Sequence, residues 1–206
     1  LKYRQEILPI TTQIKDKKSG KIKTITVIDD DGPRAGTNMK SLGKLRAVFK
    51  KGGTTTAGNS SQVSDGAAAV LMMKRSKAKE LGLPIMGKFI GFAVSGVPPD
   101  VMGIGPAFAI PKVLKQTGYD IKDIDLFEIN EAFASQAVYC VKKLGLTMDN
   151  VNVNGGAIAI GHPLGMTGAR MTVTLLKEME RQGLKRGIVS MCIGSGMGAA
   201  AVFERE

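Results

Sequence analysis

The chain has 206 residues, of which 43% are hydrophobic and 23% charged, so it can bury a core in one or two domains and is not mostly disordered. Charged residues interrupt every apolar run before it is long enough to cross a bilayer. Two cysteines, Cys140 and Cys192, are too few for a disulfide framework, and with the single His162 they lack the paired spacing of zinc sites. A reducing compartment is therefore expected. The start at Leu1, without a Met or an apolar signal core, indicates that an upstream segment has been removed.

The net charge of +11 is concentrated near the N-terminus. Residues 1–51 contain 13 Lys and Arg against 5 Asp and Glu, whereas residues 52–206 contain 16 against 13. Such a segment indicates either an anionic partner or a solvated basic loop. Nucleic acid is disfavoured because only 5% of the residues are aromatic, with no Trp.

Two patterns follow each other along the chain. Residues 1–63 predict an irregular, loop-rich layer with a short strand or two, such as the run at 25–28. From Ser64 onward the pattern is regular, and the predicted elements are strands at 67–73 (buried on both faces), 89–97, 124–129, 187–193 and 199–203, and helices at 76–81, 106–117 (begun or kinked by Pro111), 131–144 and 167–182. Strands alternating with helices predict a layered α/β domain with a mixed sheet.

Three polar positions follow predicted strands or lie in glycine-rich connections, where α/β folds place their sites. Asn130 follows a strand and suits a helix N-cap, although its amide can also hold a water or a carbonyl oxygen. His162 lies in a Gly-Pro loop built for close approach, and function is favoured over packing there. Cys192 precedes the turn 194–198, whereas Cys140 fits an inert apolar helix face. Neither a phosphate loop nor a dinucleotide loop is supported by these glycines.

Together these side chains supply an amide, a general acid/base and a thiol. A thiolate with a tuned pKa can take a proton from a carbon acid, and an imidazole can polarise a thioester oxygen. The set suits acyl transfer or carbon–carbon bond chemistry on thioesters.

These segments resemble the three C-terminal signatures of the thiolases, in the same order and spacing. They are Asn130-Glu131-Ala132-Phe133, Gly161-His162-Pro163-Leu164-Gly165 and Cys192-Ile193-Gly194-Ser195-Gly196-Met197-Gly198. The resemblance extends over essentially the whole chain, and residues 54–66 and 199–204 are most similar to the peroxisomal 3-ketoacyl-CoA thiolases.

The resemblance implies a layered α/β/α fold with a mixed five-stranded sheet, of which only the second of two similar halves is present. Residues 1–63 would be the remainder of a CoA-binding loop domain, 64–84 a strand and helix of the N-terminal half, and 85–206 the C-terminal thiolase domain.

The resemblance also implies residue roles. Cys192 would exchange the α-proton of acetyl-CoA, and His162 would activate a nucleophilic cysteine and form an oxyanion hole with a water held by Asn130. The backbone N–H of Gly194 would contribute to a second oxyanion hole. The positions that match CoA and substrate contacts are Arg34, Ser41, Phe49, Ala57, Gly58, Ser61, Met102, Ala132 and Phe133.

The activity implied is acyl-CoA + acetyl-CoA ⇌ CoA + 3-oxoacyl-CoA, in fatty acid β-oxidation. Neither Cys140 nor Cys192 matches the family's nucleophile, so the chain is not expected to turn over alone. We expect acyl-CoA and CoA as ligands and a homodimer in the full-length form, with no metal or other cofactor, no nucleic acid and no membrane. The resemblance favours the peroxisome, with the cytoplasm or mitochondrion as alternatives.

Two other functions stay open. A decarboxylating ketoacyl synthase is weakened because that family usually has a second histidine where this chain has Cys192. A non-catalytic CoA-binding or partner subunit of a thiolase-like assembly would keep Arg34 and Ser61 without needing the thiol.

Overall fold

The computed structural model describes residues 2–206. The first part contains a 3-10 helix at Lys2–Gln5, strands β1 (Ile10–Lys15) and β2 (Ile22–Val27), and short helices α1 (Met39–Leu42) and α2 (Arg75–Glu80). The second part contains β3 (Lys88–Gly96), α3 (Pro106–Thr117), β4 (Leu126–Ile129), α4 (Ala134–Lys143), α5 (Ala157–Ile160), α6 (Thr167–Gln182), β5 (Arg186–Ile193) and β6 (Met197–Glu204). Two further 3-10 turns lie at Pro99–Ile104 and Ile121–Asp123.

The basic N-terminal segment is a loop layer carrying one antiparallel hairpin, as predicted. Strands β1 and β2 pair from Ile10 opposite Val27 to Lys15 opposite Ile22. Nearly every hairpin residue is exposed on both faces, so cross-strand pairing holds this ribbon together rather than core burial.

The second part is built on one mixed sheet with the strand order β3-β6-β5-β4. Strands β4 and β5 are parallel, and the other two pairs are antiparallel. The expected five-stranded sheet is corrected: it has four strands among residues 2–206. At the β4 edge a single parallel bridge joins Phe127 to Val151, and the chain then turns away at Asn152, whose φ is 48°. A left-handed residue at this place ends the pairing after one bridge.

Helices cover both faces of this sheet, which gives the predicted three layers. The periodic apolar positions of α6 lie against β4 and β5, and Gly183 in the left-handed conformation ends that helix. Helices α3 and α4 cover the opposite face, where the buried residues include Ile110, Val113, Phe127 and Cys140. Helix α3 continues through Pro111 without ending there.

Two predicted elements differ from the structure. The run 67–73 forms no strand, and Leu71 is 78% exposed, because no strand among residues 2–206 lies beside it to complete a ladder. The helix predicted from Glu131 begins at Ala134, since Phe133 is extended and the Ala132 carbonyl accepts from the backbone N–H of Ser61 instead of from a helical turn. Within the described residues, no helix combines the length and apolar character needed to cross a membrane.

Candidate active site

The carboxyl ends of two parallel strands bring predicted site residues to one edge of the sheet. Asn130 directly follows β4, and its backbone N–H donates to the carbonyl of Ser190 in β5 at 2.9 Å. Cys192 lies two residues beyond Ser190 on β5, opposite Gly198 of β6. Because β4 and β5 run in parallel, Asn130 and Cys192 occupy the same end of the sheet, where α/β folds place their ligands.

His162 is held from both sides of its ring. Its Nδ1 lies 2.6 Å from the Thr167 hydroxyl at the start of α6, and its Nε2 lies 3.1 Å from the Asn130 amide nitrogen. The preceding Gly161 has φ of 94°, a conformation that favours glycine. The backbone N–H of His162 also donates to the carbonyl of Gln62, so the loop after residue 60 helps to hold the backbone of this residue. The structure therefore brings the side chains of Asn130 and His162 into contact.

Asn130 is not a helix cap, which corrects the N-cap expectation. The N-cap of α4 is Phe133, three residues later. The Asn130 side chain is 2% exposed and points its amide nitrogen at His162. Its Oδ1 has no hydrogen-bond partner among the described residues. A buried oxygen of this kind is an acceptor that a water or a substrate donor can occupy.

The two cysteines differ in environment. Cys140 is fully buried in the core between α4 and the sheet, and burial raises the pKa of its thiol to about 11. Such a thiol is unreactive and serves as a small apolar side chain of the core. Cys192 is half-buried, and burial also raises the pKa of its thiol. Among residues 2–206, the Cys192 thiol makes no hydrogen bond to Asn130 or His162; the three share a sheet edge, but only the amide and the imidazole are joined.

The glycines of the turn after Cys192 permit close backbone approach. A Cβ on Gly196 would lie 2.6 Å from the carbonyl oxygen of Val97, and one on Gly105 would lie 2.6 Å from the Cα of Gly198. Gly194 and Gly196 both have positive φ. The turn 194–198 is thus packed against the start of α3, which explains its glycines without a dinucleotide.

The pKa values of both titratable side chains of the site, His162 and Cys192, are shifted toward the uncharged form. Burial, with a smaller contribution from the positive charge of Arg170, lowers the pKa of His162. Arg170 itself pairs with the buried Glu128 at 3.4 Å, and burial raises the pKa of that carboxyl to about 8. A neutral imidazole can accept a proton, and a protonated thiol can donate one.

A groove of about 980 Å³ approaches this site through the loop layer. Five of the nine predicted CoA and substrate positions line it, namely Arg34, Ser41, Ala57, Gly58 and Ser61. Ala159 also lines the groove, and it lies on α5, the short helix that leads directly to His162. The groove therefore extends from Arg34 to the helix that precedes His162, and the imidazole itself is not part of its lining.

The other four predicted contact positions lie outside the groove lining. The rings of Phe49 and Phe133 meet edge to face with centroids 6.1 Å apart, and Ser61 N–H donates to the Ala132 carbonyl. These contacts tie the loop layer to the entrance of α4. Met102 lies in the 3-10 turn Pro99–Ile104, which packs against α4 through a hydrogen bond from the Gln136 side chain to the Gly103 carbonyl.

Three supporting residues were not predicted from the sequence. Thr167 lies five residues beyond His162, Arg170 lies one turn further on α6, and Glu131 accepts from Asn152 and from the backbone of α5. Thr167 is the first residue of α6, and a hydroxyl side chain at the start of a predicted helix was the sequence signal that could have identified it. Within residues 2–206, no cluster of three or more His, Cys, Asp and Glu side chains could hold a metal ion.

Comparison with family models and known proteins identifies the class. Residues 83–205 match the model of the thiolase C-terminal domain, and residues 1–76 match that of the thiolase N-terminal domain. The chain belongs to the thiolase family, as its motifs indicated.

The relatives agree with the finer resemblance. The peroxisomal 3-ketoacyl-CoA thiolase A of Mus musculus is 66% identical over 98% of this chain and 48% of its own length. The dimeric peroxisomal thiolase of Saccharomyces cerevisiae is 54% identical with a TM-score of 0.87, covering 99% of this chain and 49% of that one. A human mitochondrial 3-ketoacyl-CoA thiolase in complex with CoA is 41% identical with a TM-score of 0.82, covering 94% and 48%. The thiolase-like fold is confirmed, and the chain spans about half the length of these relatives.

Proposed function

We propose that this chain supplies one half of a thiolase that interconverts acyl-CoA plus acetyl-CoA with CoA plus 3-oxoacyl-CoA, in the thiolysis of fatty acid β-oxidation. The observation that carries the proposal is the Asn130–His162 pair, joined at 3.1 Å with the Asn130 oxygen free, at the same sheet edge as Cys192. An amide oxygen that can hold a water and a neutral imidazole suit a thioester oxygen that gains negative charge.

Each site residue then has a distinct task. Cys192 exchanges the α-proton of acetyl-CoA, and His162 takes the proton of a nucleophilic cysteine and afterwards donates a hydrogen bond to the thioester enolate. The backbone N–H of Gly194 stabilises the oxyanion formed on the acylated nucleophile. Neither cysteine of this chain matches that nucleophile, so turnover needs the other half of the enzyme.

CoA is the ligand proposed for the groove. Arg34 lines it at the basic end, and a guanidinium suits the phosphates of CoA. The remaining lysines of residues 1–51 set a field that attracts such an anion. We further propose a homodimer for the whole protein, action without a metal or other cofactor, and no nucleic-acid or membrane partner. A peroxisomal location agrees with the names of the most similar relatives.

A non-catalytic CoA-binding subunit is the second candidate. The groove is present in this chain, while a cysteine matching the nucleophile is not. Such a subunit would bind CoA and would not need the thiol of Cys192.

Hydrogen–deuterium exchange at the acetyl group of acetyl-CoA separates the two functions. The chain is assayed alone and with the N-terminal half of the mouse relative supplied in trans, and exchange is followed by NMR or mass spectrometry. We expect exchange in the complemented sample, reduced about a hundredfold or more in Cys192→Ala because the general base is lost. Cys140→Ala is the matched control and keeps the exchange. CoA binding without exchange in either sample would support the non-catalytic subunit and refute the thiolase activity.

A further inference from the structure

The ring of His162 is the start of a short chain of hydrogen bonds that runs through Thr167, the first residue of α6, to the carbonyl of Pro163. Its Nδ1 lies 2.6 Å from the Thr167 hydroxyl oxygen, and that hydroxyl donates to the Pro163 carbonyl at 2.9 Å. Thr167 is 0% exposed, so water does not compete for its hydroxyl. On the other side of the ring, Nε2 faces the Asn130 amide nitrogen at 3.1 Å.

Counting hydrogens along this chain favours one tautomer. A threonine hydroxyl has one hydrogen, and the Pro163 carbonyl within its reach can only accept. When the hydroxyl donates to Pro163, its oxygen accepts from His162, so Nδ1 carries the ring hydrogen. Nε2 is left with its lone pair, and the Asn130 N–H donates to it. Every one of these contacts pairs a donor with an acceptor.

The opposite tautomer satisfies fewer groups. If the Thr167 hydroxyl donated to Nδ1, then Nε2–H would face the Asn130 N–H unless the amide turned by 180°. The turned amide would direct its two N–H groups to the position that Oδ1 now occupies, where none of the described residues accepts. Buried N–H groups without acceptors are rarer and more costly than a carbonyl oxygen with spare capacity.

We propose that Thr167 is a positioning residue that holds the His162 imidazole as the Nδ1–H tautomer and keeps Nε2 as the basic nitrogen beside Asn130. The assignment concerns the resting chain and stands on its own contacts. Its catalytic meaning rests on the proposed function, because a base that deprotonates a thiol needs an unprotonated nitrogen, and in this tautomer that nitrogen is Nε2. Which nitrogen is basic is set by the hydrogen bond of the other.

The structure offers a direct spectroscopic test, because His162 is the only histidine of the chain. Long-range ¹H–¹⁵N NMR of the ¹⁵N-labelled 206-residue chain, at a pH where the ring is neutral, yields two ring nitrogens that need no further assignment. Protonated and unprotonated nitrogens resonate in separate regions. We expect a protonated Nδ1 and an unprotonated Nε2.

Variants separate positioning from simple packing. Thr167→Val keeps the shape and removes the hydroxyl, and the Pro163 carbonyl keeps its two backbone donors from Met166 and Thr167. We expect the ratio of Nδ1–H to Nε2–H to fall about fivefold to tenfold, as loss of one buried hydrogen bond implies. Thr167→Ser should restore the wild-type spectrum. The control is Thr172→Val, which removes the same type of bond, to the carbonyl four residues earlier on α6, without touching His162.

An Nε2–H tautomer in the wild-type chain, or an unchanged ratio in a folded Thr167→Val variant, would overturn the proposal. Should Thr167→Val unfold, the wild-type tautomer and the Thr167→Ser spectrum decide the question instead. None of these readings depends on turnover. A chain with the expected tautomer but no acetyl exchange would refute the proposed function and leave the role of Thr167 standing.

Discussion

His162 obtains its chemistry from residues that the motif around it does not contain. The glycine and proline next to it fix its backbone, but the ring is oriented by Thr167 and Asn130, and its protonation is governed by burial and by Arg170. Thr167 and Arg170 lie in α6 and Asn130 directly follows β4, so the surroundings of the imidazole are set by these elements as well as by its own loop. The effect of Arg170 on the pKa of His162 can be tested by a single substitution.

Removing the charge of Arg170 should raise the pKa of His162. Burial lowers the pKa of this base below about 6.5, and Arg170 lowers it further. Arg170→Met should therefore move the NMR titration midpoint upward, although not fully to the ordinary value, because burial remains. Lys177→Met, on an exposed part of the same helix, should leave it unchanged.

The lowered pKa of His162 also makes the stability of the folded chain depend on pH. Because the pKa of folded His162 is lowered, the unfolded chain binds the proton more readily, so this residue's contribution to stability is present above about pH 6.5 and is lost as the pH falls through the folded value. A midpoint that did not move in Arg170→Met would show that this charge does not act on the ring.

At the scale of elements, the close contact between β6 and the start of α3 positions the turn after Cys192. A Cβ on Gly198 would lie 2.6 Å from the Cα of Gly105, and both partners are backbone. Neither side can give way without moving the helix or the strand. The turn and the thiol are therefore held by a contact that tolerates only hydrogen at these positions.

Gly198→Ala should destabilise the chain by about 1–3 kcal/mol through overpacking. Gly96→Ala, one strand away, is the matched control, since a Cβ there meets nothing within 4 Å and φ is not positive. That control should be neutral or stabilise by about 0.4–1 kcal/mol. Urea denaturation measures both free energies of unfolding, and equal effects of the two substitutions would contradict the close contact.

Periodicity predicted the elements whose partners lie nearby in the chain. Helix α6 was located to the residue and strands β5 and β6 to within two residues at each end, because one face of α6 is apolar, Gly183 ends it, and the glycine-rich turn separates the two strands. The run 67–73 has the same local character but no neighbouring strand, and pairing cannot be read from composition. Asn130 was ambiguous for a similar reason: whether an amide caps a helix or binds an imidazole depends on residues 32 positions away.

At the scale of the whole molecule, the chain presents an unpaired apolar segment to solvent. Val63, Leu71 and Met72 are each at least 66% exposed, and the run 67–73 forms no strand within the described residues. Exposed apolar surface of this kind promotes association. The relatives are twice as long, and we expect their other half to cover this segment.

The double substitution Leu71→Lys and Met72→Lys should reduce binding of a hydrophobic dye and shift gel filtration toward monomer. Leu164→Lys removes one equally exposed but isolated side chain and should change both readouts little. Adding the N-terminal half of the mouse relative should suppress dye binding by the unsubstituted chain. A monodisperse chain with little dye uptake from the outset would contradict this expectation.

Two hydrogen bonds of the Asn152 side chain have a consequence for how the sequence can vary. Its Oδ1 accepts from the N–H of Ile129 and its Nδ2 donates to the carbonyl of Ile129, so the residue immediately before Asn130 is held at the sheet edge. The groove, by contrast, is walled largely by loops of the first 63 residues. Insertions and exchanges in those loops can therefore change the shape of the groove while Asn130 and His162 keep their geometry.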